Sequence, residues 1–175
     1  LKDHGYHVTW VSAERKGYSG VATFSRQPPD EVVVGLGDEQ FDKEGRLVMT
    51  RHGDLVLYNG YFPNGQRDHA RVPYKLAFYE RLLALATERV EQGDRVILCG
   101  DWNTAHQPID LARPRANVKT TGFLPQERAM IDRYIDAGFV DAFRVLYPLV
   151  RERFSWWSNR AGARDRNIGW RIDYH

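Results

Sequence analysis

The chain has 175 residues, 42% of them hydrophobic and 13% aromatic, which is enough to bury a sizeable core and excludes a disordered or low-complexity segment. With 25 basic and 23 acidic residues the formal net charge is +2, so any affinity for a polyanion has to come from the placement of charges and not from their sum. A single cysteine, Cys99, excludes an internal disulfide and suits a reducing cytoplasm, and no apolar run is long enough to span a bilayer, so no membrane partner is expected.

Strand and helix patterns then alternate along the chain. Tyr6 to Val11 and Val21 to Ser25 read as strands separated by the turn residues Lys16 to Gly20, and Glu31 to Val34, Leu47 to Thr50 and Leu55 to Tyr61 follow. Asp42 to Gly45 suits a hairpin turn. From about Tyr74 to Glu91 the apolar positions Leu76, Tyr79, Leu82, Leu83, Leu85, Ala86 and Val90 recur at helical spacing, with Gly93 as a C-terminal stop. Arg95 to Cys99 is a short buried strand. A second helix is expected to start near Pro125, to carry Met130, Ile131, Tyr134 and Ile135 inward, and to stop at Gly138. No repeat or linker interrupts this pattern, which predicts one sheet-rich α/β unit. The closing stretch, Gly169 to His175, alternates like a strand without a terminating turn, and the opening lacks a methionine, so the sequence is expected to continue at both ends.

Two strand exits carry candidate chemistry. Val96 to Cys99 runs into Gly100-Asp101-Trp102-Asn103, which puts a carboxylate and a carboxamide where the backbone bends and side chains converge on a ligand. An ionised Asp101 holds a hard cation or takes a proton from water, and the Asn103 amide donates to a phosphate oxygen; the same string also serves as an ordinary strand-ending turn. The second exit is Tyr58 to Arg67. There Tyr61 offers a phenolic hydroxyl and Arg67 a guanidinium for phosphate, although a packed aromatic and a solvated arginine fit those positions too. Further along, Arg151, Arg153, Arg160, Arg164, Arg166 and Arg171 are interleaved with Phe154, Trp156, Trp157 and Trp170. An arginine run alone is a solvated face, whereas arginines among flat rings suit phosphates beside a sugar or base.

Six strings occur in order: Gly-Tyr-Ser-Gly-Val at 17 to 21, Asn-Gly-Tyr-Phe-Pro-Asn-Gly at 59 to 65, Gly-Asp-Trp-Asn at 100 to 103, Gly-Phe-Leu-Pro-Gln-Glu-Arg at 122 to 128, Asp-Ala-Phe-Arg at 141 to 144, and Asn-Ile-Gly-Trp-Arg-Ile-Asp-Tyr at 167 to 174. Together they resemble the exonuclease III family of class II abasic-site endonucleases, within the endonuclease/exonuclease/phosphatase superfamily. The resemblance implies an α/β fold, a four-layer α/β/β/α sandwich of the DNase I-like type, with the active site at one rim. It implies a Mg²⁺-dependent (or Mn²⁺-dependent) hydrolase of DNA repair that incises duplex DNA 5′ to abasic sites, with 3′-to-5′ exonuclease and 3′-end-cleaning activity. The partner is then duplex DNA with abasic or damaged 3′ ends, handled by a monomer in the cytoplasm, near the bacterial nucleoid.

Residue by residue, the resemblance implies that Tyr61 contacts the scissile phosphate and that Asp101 orients or deprotonates the attacking water. Asn103 stabilises the phosphorane-like oxygens, and Asp101 and Asn103 lie near a Mg²⁺ position. Asp173 matches the aspartate that orients a histidine further along; His175 is not that histidine. Trp156 and Trp170 match the walls of a pocket for a flipped-out abasic sugar, and Tyr18, Asn64, Arg67, Asn117 and Asn167 match positions that touch DNA phosphates. His4, His7, His52, His69 and His106 match no catalytic position. The family's glutamate metal ligand and its C-terminal Asp-His fall outside the 175 residues, so this span alone is expected to be inactive. A phosphatase or phosphodiesterase of the same superfamily, or a catalytically silent DNA-binding module, are the competing readings.

Overall fold

The computed structural model describes residues 4–175, which fold into two compact units. The first comprises residues up to Phe62 together with Arg81–Gly100, and the second Pro63–Glu80 with Asp101–His175.

In the first unit, β1 (His7–Ser12) and β2 (Gly20–Ser25) form an antiparallel hairpin in which His7 faces Ser25 and Ser12 faces Gly20. A sheet in the order β3-β4-β5-β6 follows, built from β3 (Glu31–Val34), β4 (Leu47–His52), β5 (Leu55–Tyr61) and β6 (Arg95–Asp101), the first three antiparallel in sequence. Burial explains the two middle strands. β5 alternates buried Val56, Tyr58 and Gly60 with half-exposed neighbours, as a strand with one covered face does, while β4 is buried on both faces from Leu47 to Thr50. The hairpin and β5 are tied by Asn59, whose Nδ2 donates to Ala22 O (3.0 Å).

Asp42–Gly45 closes as the turn expected there, Gly45 N–H donating to Asp42 O (3.0 Å), but the connection between the antiparallel strands β3 and β4 is longer than that turn. It carries a one-turn helix, α1 (Glu39–Asp42), N-capped by the Asp38 carboxylate, which accepts from Gln40 N–H at 2.9 Å. Asp42 then accepts from the backbone N–H of Leu36 (2.6 Å) and Asp38 (3.0 Å), so the segment before the turn is folded by its own carboxylates.

The long helix α2 (Val72–Glu91) begins in the second unit and ends in the first. Its buried positions Val72, Lys75, Phe78, Tyr79, Leu82, Leu83 and Ala86 follow the helical period, and Gly93 ends it at φ +92°. Val90, expected inward, is 48% exposed in the last turn. In the second unit α3 (Pro125–Asp136) starts on proline and buries Met130, Ile131 and Tyr134, whereas Ile135, also expected inward, lies 43% exposed. α4 (Ala142–Leu146) and three two-residue strands, β7 (Trp156–Trp157), β8 (Gly169–Trp170) and β9 (Asp173–Tyr174), complete the unit. β7 pairs antiparallel with β8, so Trp156 lies opposite Trp170. The core joins Tyr79, Trp102 and Tyr134 edge-on, with centroids 4.9 to 6.1 Å apart, and Tyr134 Oη donates to Tyr79 O (2.7 Å). Among the described residues no helix is long and apolar enough to cross a membrane.

Candidate active site

In the second unit the chain leaves β6 through Asp101, Trp102 and Asn103. Trp102 is buried and its N–H donates to Ile172 O (2.7 Å), so Asp101 and Asp173, each one residue from that bond, sit on adjacent segments. Asn103 turns into the left-handed region (φ +51°), a conformation that asparagine tolerates better than most residues. Its N–H donates to Asp101 Oδ1 at 2.8 Å, which closes a short turn and places carboxylate and carboxamide side by side.

Asn103 lines a cavity of 460 Å³ together with Asn64, Arg67, Asn117, Thr120, Thr121, Gly122, Trp156, Ser158, Trp170 and Ile172. Six of the residues singled out in the sequence thus meet at one depression: Asn64, Arg67, Asn103, Asn117, Trp156 and Trp170. Asn64 Nδ2 donates to Asn103 Oδ1 (3.2 Å), and its own Oδ1 accepts from Gln66 N–H (2.8 Å), so the loop after β5 is bound to the turn after β6. Asn117 Nδ2 donates to Arg113 O (2.8 Å). The indoles form an apolar wall: Trp170 packs edge-on against Phe123 (6.4 Å) in a cluster with Ala105, Leu111 and Ile172, while Trp156 is 45% exposed.

Asp173 is exposed, with its N–H donating to Ser155 Oγ (3.2 Å). Asn167 does not line the cavity. Its Oδ1 accepts from Trp157 Nε1 (3.0 Å) and its Nδ2 donates to Glu152 O (3.1 Å), so both ends of the amide hold the 152–167 loop together. Tyr18 and Tyr61 belong to the first unit. There the Arg46 guanidinium lies 4.7 Å from the Tyr61 ring and 5.5 Å from that of Tyr18, donates to Tyr61 O (3.1 Å), and is paired with Glu44 at 2.6 Å. His106, unassigned from sequence, is structural: its ring lies 2.7 Å from Asp132 and its carbonyl accepts from Arg128 Nε at 2.6 Å.

Beneath the turn sits a pair that sequence reasoning missed. Lys75 and Glu127 have no exposed side-chain surface and meet at 2.7 Å. Glu127 accepts from Lys75 Nζ and Thr121 Oγ1 (2.8 Å) on one oxygen and from the N–H groups of Gly122 (2.5 Å) and Leu124 (3.0 Å) on the other. Burial pulls the Lys75 ammonium below the usual lysine range, against the pull of Glu127 and, more weakly, Asp101. A signal for Glu127 was present, since a glutamate three residues past the N-cap Leu124 is placed to accept from the cap's own backbone N–H. For Lys75 the signal was its position, three residues after Val72 and four before Tyr79, on the buried face of α2.

Asp101 and Asn103 present one carboxylate and one carboxamide, and no group of three or more His, Cys, Asp or Glu among the described residues is arranged to hold a metal ion. Magnesium needs near-octahedral oxygen ligation, with one or two carboxylates beside waters and substrate phosphates. This donor set alone does not make such a site.

The sequence profile described as the Endonuclease/Exonuclease/phosphatase family matches residues 1–175. An exodeoxyribonuclease of Bacillus subtilis (strain 168) is 49% identical over 174 residues, 99% of this chain and 69% of its own length. The chain belongs to the endonuclease/exonuclease/phosphatase family. Within this family, an AP endonuclease from Archaeoglobus fulgidus has a solved structure that superposes with a TM-score of 0.89 at 32% identity, covering 99% of this chain and 66% of that one. A 3′ phosphatase from Neisseria, solved with a product DNA hairpin, gives a TM-score of 0.91 at 25% identity over the same shares. The α/β, DNase I-like fold expected from the sequence is therefore the fold of this family's nucleases. The family is metal-dependent, generally on Mg²⁺. The chain spans about two thirds of each of these relatives.

Proposed function

We propose that this chain belongs to a longer DNA repair nuclease that hydrolyses the phosphodiester 5′ to an abasic site in duplex DNA, with 3′-to-5′ exonuclease and 3′-end-cleaning activity. The observation that carries the reading is the cavity in which Asn64, Arg67 and Asn103 face the indoles of Trp156 and Trp170. Amides and a guanidinium suit phosphate oxygens, and an apolar indole wall suits a sugar that has lost its base. The names of the relatives, an exodeoxyribonuclease, an AP endonuclease and a DNA-bound 3′ phosphatase, support the same substrate class.

In this reading Asp101 orients or deprotonates the attacking water, Asn103 donates to the phosphorane-like oxygens, and Tyr61 contacts the scissile phosphate. Asp173 orients a histidine supplied by the rest of the protein, and the carboxylate that completes Mg²⁺ or Mn²⁺ ligation comes from there as well. When bound, the ion supplies charge neutralisation at the phosphate. Tyr18, Asn64, Arg67, Asn117 and Asn167 contact DNA phosphates, and Trp156 and Trp170 wall the sugar pocket. The protein works as a monomer in this reading.

The test is a synthetic duplex with one abasic analogue in Mg²⁺. The full-length protein is expected to nick it on the 5′ side, and the 175-residue span alone to leave it intact. Asp101→Asn in the full-length protein is expected to cut turnover on the order of 100-fold or more with DNA binding nearly unchanged. An intact duplex with the full-length parent, or equal losses of binding and turnover in the variant, would count against the assignment.

A further inference from the structure

The buried pair under the turn has a geometry that exceeds what a helix cap requires. Besides meeting Glu127, Lys75 Nζ donates to Asn103 O (2.7 Å), the carbonyl of the residue held at φ +51°. Glu127 in turn grips Gly122, and a Cβ at Gly122 would stand 3.0 Å from that same Asn103 carbonyl and 3.4 Å from the Trp170 ring. Gly122 O accepts from Ala105 N–H (2.8 Å), just past the turn. The pair therefore joins the start of α2 to two parts of the cavity wall, the Asn103 backbone and the 121–122 strip, at one fully buried point.

We infer that Lys75, held by Glu127, is a positioning residue that fixes the Asn103 backbone in its left-handed turn and so aims the Asn103 carboxamide into the cavity. The inference rests on the proposed role of Asn103. Physically, a left-handed residue followed by an unrestrained carbonyl has lower-energy alternatives, and an ammonium with three donors removes them when two of its partners, Asn103 O and Glu127 Oε1, are fixed. Glu127 carries four donors on its two oxygens, so it has no capacity to reorganise toward water or a ligand. Neither Lys75 nor Glu127 lines the cavity, so neither touches substrate.

The decisive variants, made in the full-length protein, are Lys75→Met and the double Lys75→Met/Glu127→Gln. The second avoids leaving a carboxylate buried without its cation. For the double variant we expect a Tm near the parent's, an unchanged KM for abasic duplex, and kcat lower on the order of 100-fold, the scale of a misplaced catalytic group. Side-chain amide ¹H–¹⁵N signals of Asn103 should shift in both variants, a readout that needs no turnover. If the parent fails to cut abasic DNA, the nuclease assignment fails while the amide signals still decide the positioning role. Unmoved Asn103 signals, parent-level kcat, or a double variant that cannot reach the parent's fold would each overturn the inference, the last by reducing the pair to a support for folding.

Discussion

Asn103 separates two roles that one residue often combines. Its φ of +51° is open to glycine without steric cost, while its carboxamide lies at the cavity and accepts from Asn64. Asn103→Gly should therefore melt within about 1 kcal/mol of the parent, because the turn is retained, and yet lose DNA cleavage on the order of 100-fold, the cost of one donor to a developing oxyanion. Thermal unfolding and initial rates on the same preparation check both halves; a variant that is unfolded, or fully active, contradicts them. Asp101 and Asn103 stood out as polar residues at the exit of an apolar strand, and Trp156 and Trp170 as flat rings among arginines in strings that resemble the family's. Lys75 was overlooked: its helical position points inward, but a lysine there reads as solvent-facing until the partner that neutralises it, 52 residues away, is known.

β6 shows why a particular glycine precedes the Asp101-Trp102-Asn103 turn. Gly100 has φ +130°, and a Cβ there would overlap the carbonyl oxygen of Gly60 in β5, so both the dihedral and the strand spacing demand the missing side chain. Gly100→Ala is expected to lower the stability of the protein by roughly 3 kcal/mol or more, the sum of a strained backbone and an overpacked contact. Urea unfolding would measure it, and a loss below about 1 kcal/mol would mean that β5 and β6 separate easily. The long elements were readable: α2 and α3 from the recurrence of apolar positions, their ends from Gly93 and Gly138, both left-handed. The short ones were not. Two-residue strands such as β7, β8 and β9 have no period to detect, and α1 is folded by Asp38 and Asp42 carboxylates on nearby amides, a local competition that hydrophobic patterning does not register.

Across the second unit, charge is organised around Asp110, which has no exposed surface and accepts from Arg171 Nε (2.9 Å) and Arg144 Nη2 (2.6 Å); Arg171 also pairs with Asp141 at 2.5 Å. Burial pushes the Asp110 carboxyl up, but Arg171, the Gln107 N–H and Arg144 outweigh it and hold it below the usual aspartate range. A lowered native pKa gives stability that is complete above the unfolded value, about 4, and is lost as pH falls through the native one. Asp110→Asn should thus lose on the order of 3 kcal/mol at neutral pH and flatten the dependence of unfolding free energy on pH below about 4; an unchanged acid slope in denaturant titrations would refute this. The arginines interleaved with aromatic rings up to Arg171 suited phosphates, but the sequence did not show that Arg171, like Arg144, is committed inward, a distinction that burial makes.

Dissolved ions weaken only those charges that they can approach, and the screening length shrinks to about 3 Å at molar ionic strength. Arg67, exposed on the cavity rim, is open to that atmosphere, whereas Lys75 and Glu127, sealed beneath the floor, are not. Concentrated electrolyte should then release a bound polyanion long before it disturbs the backbone on which Asn103 stands.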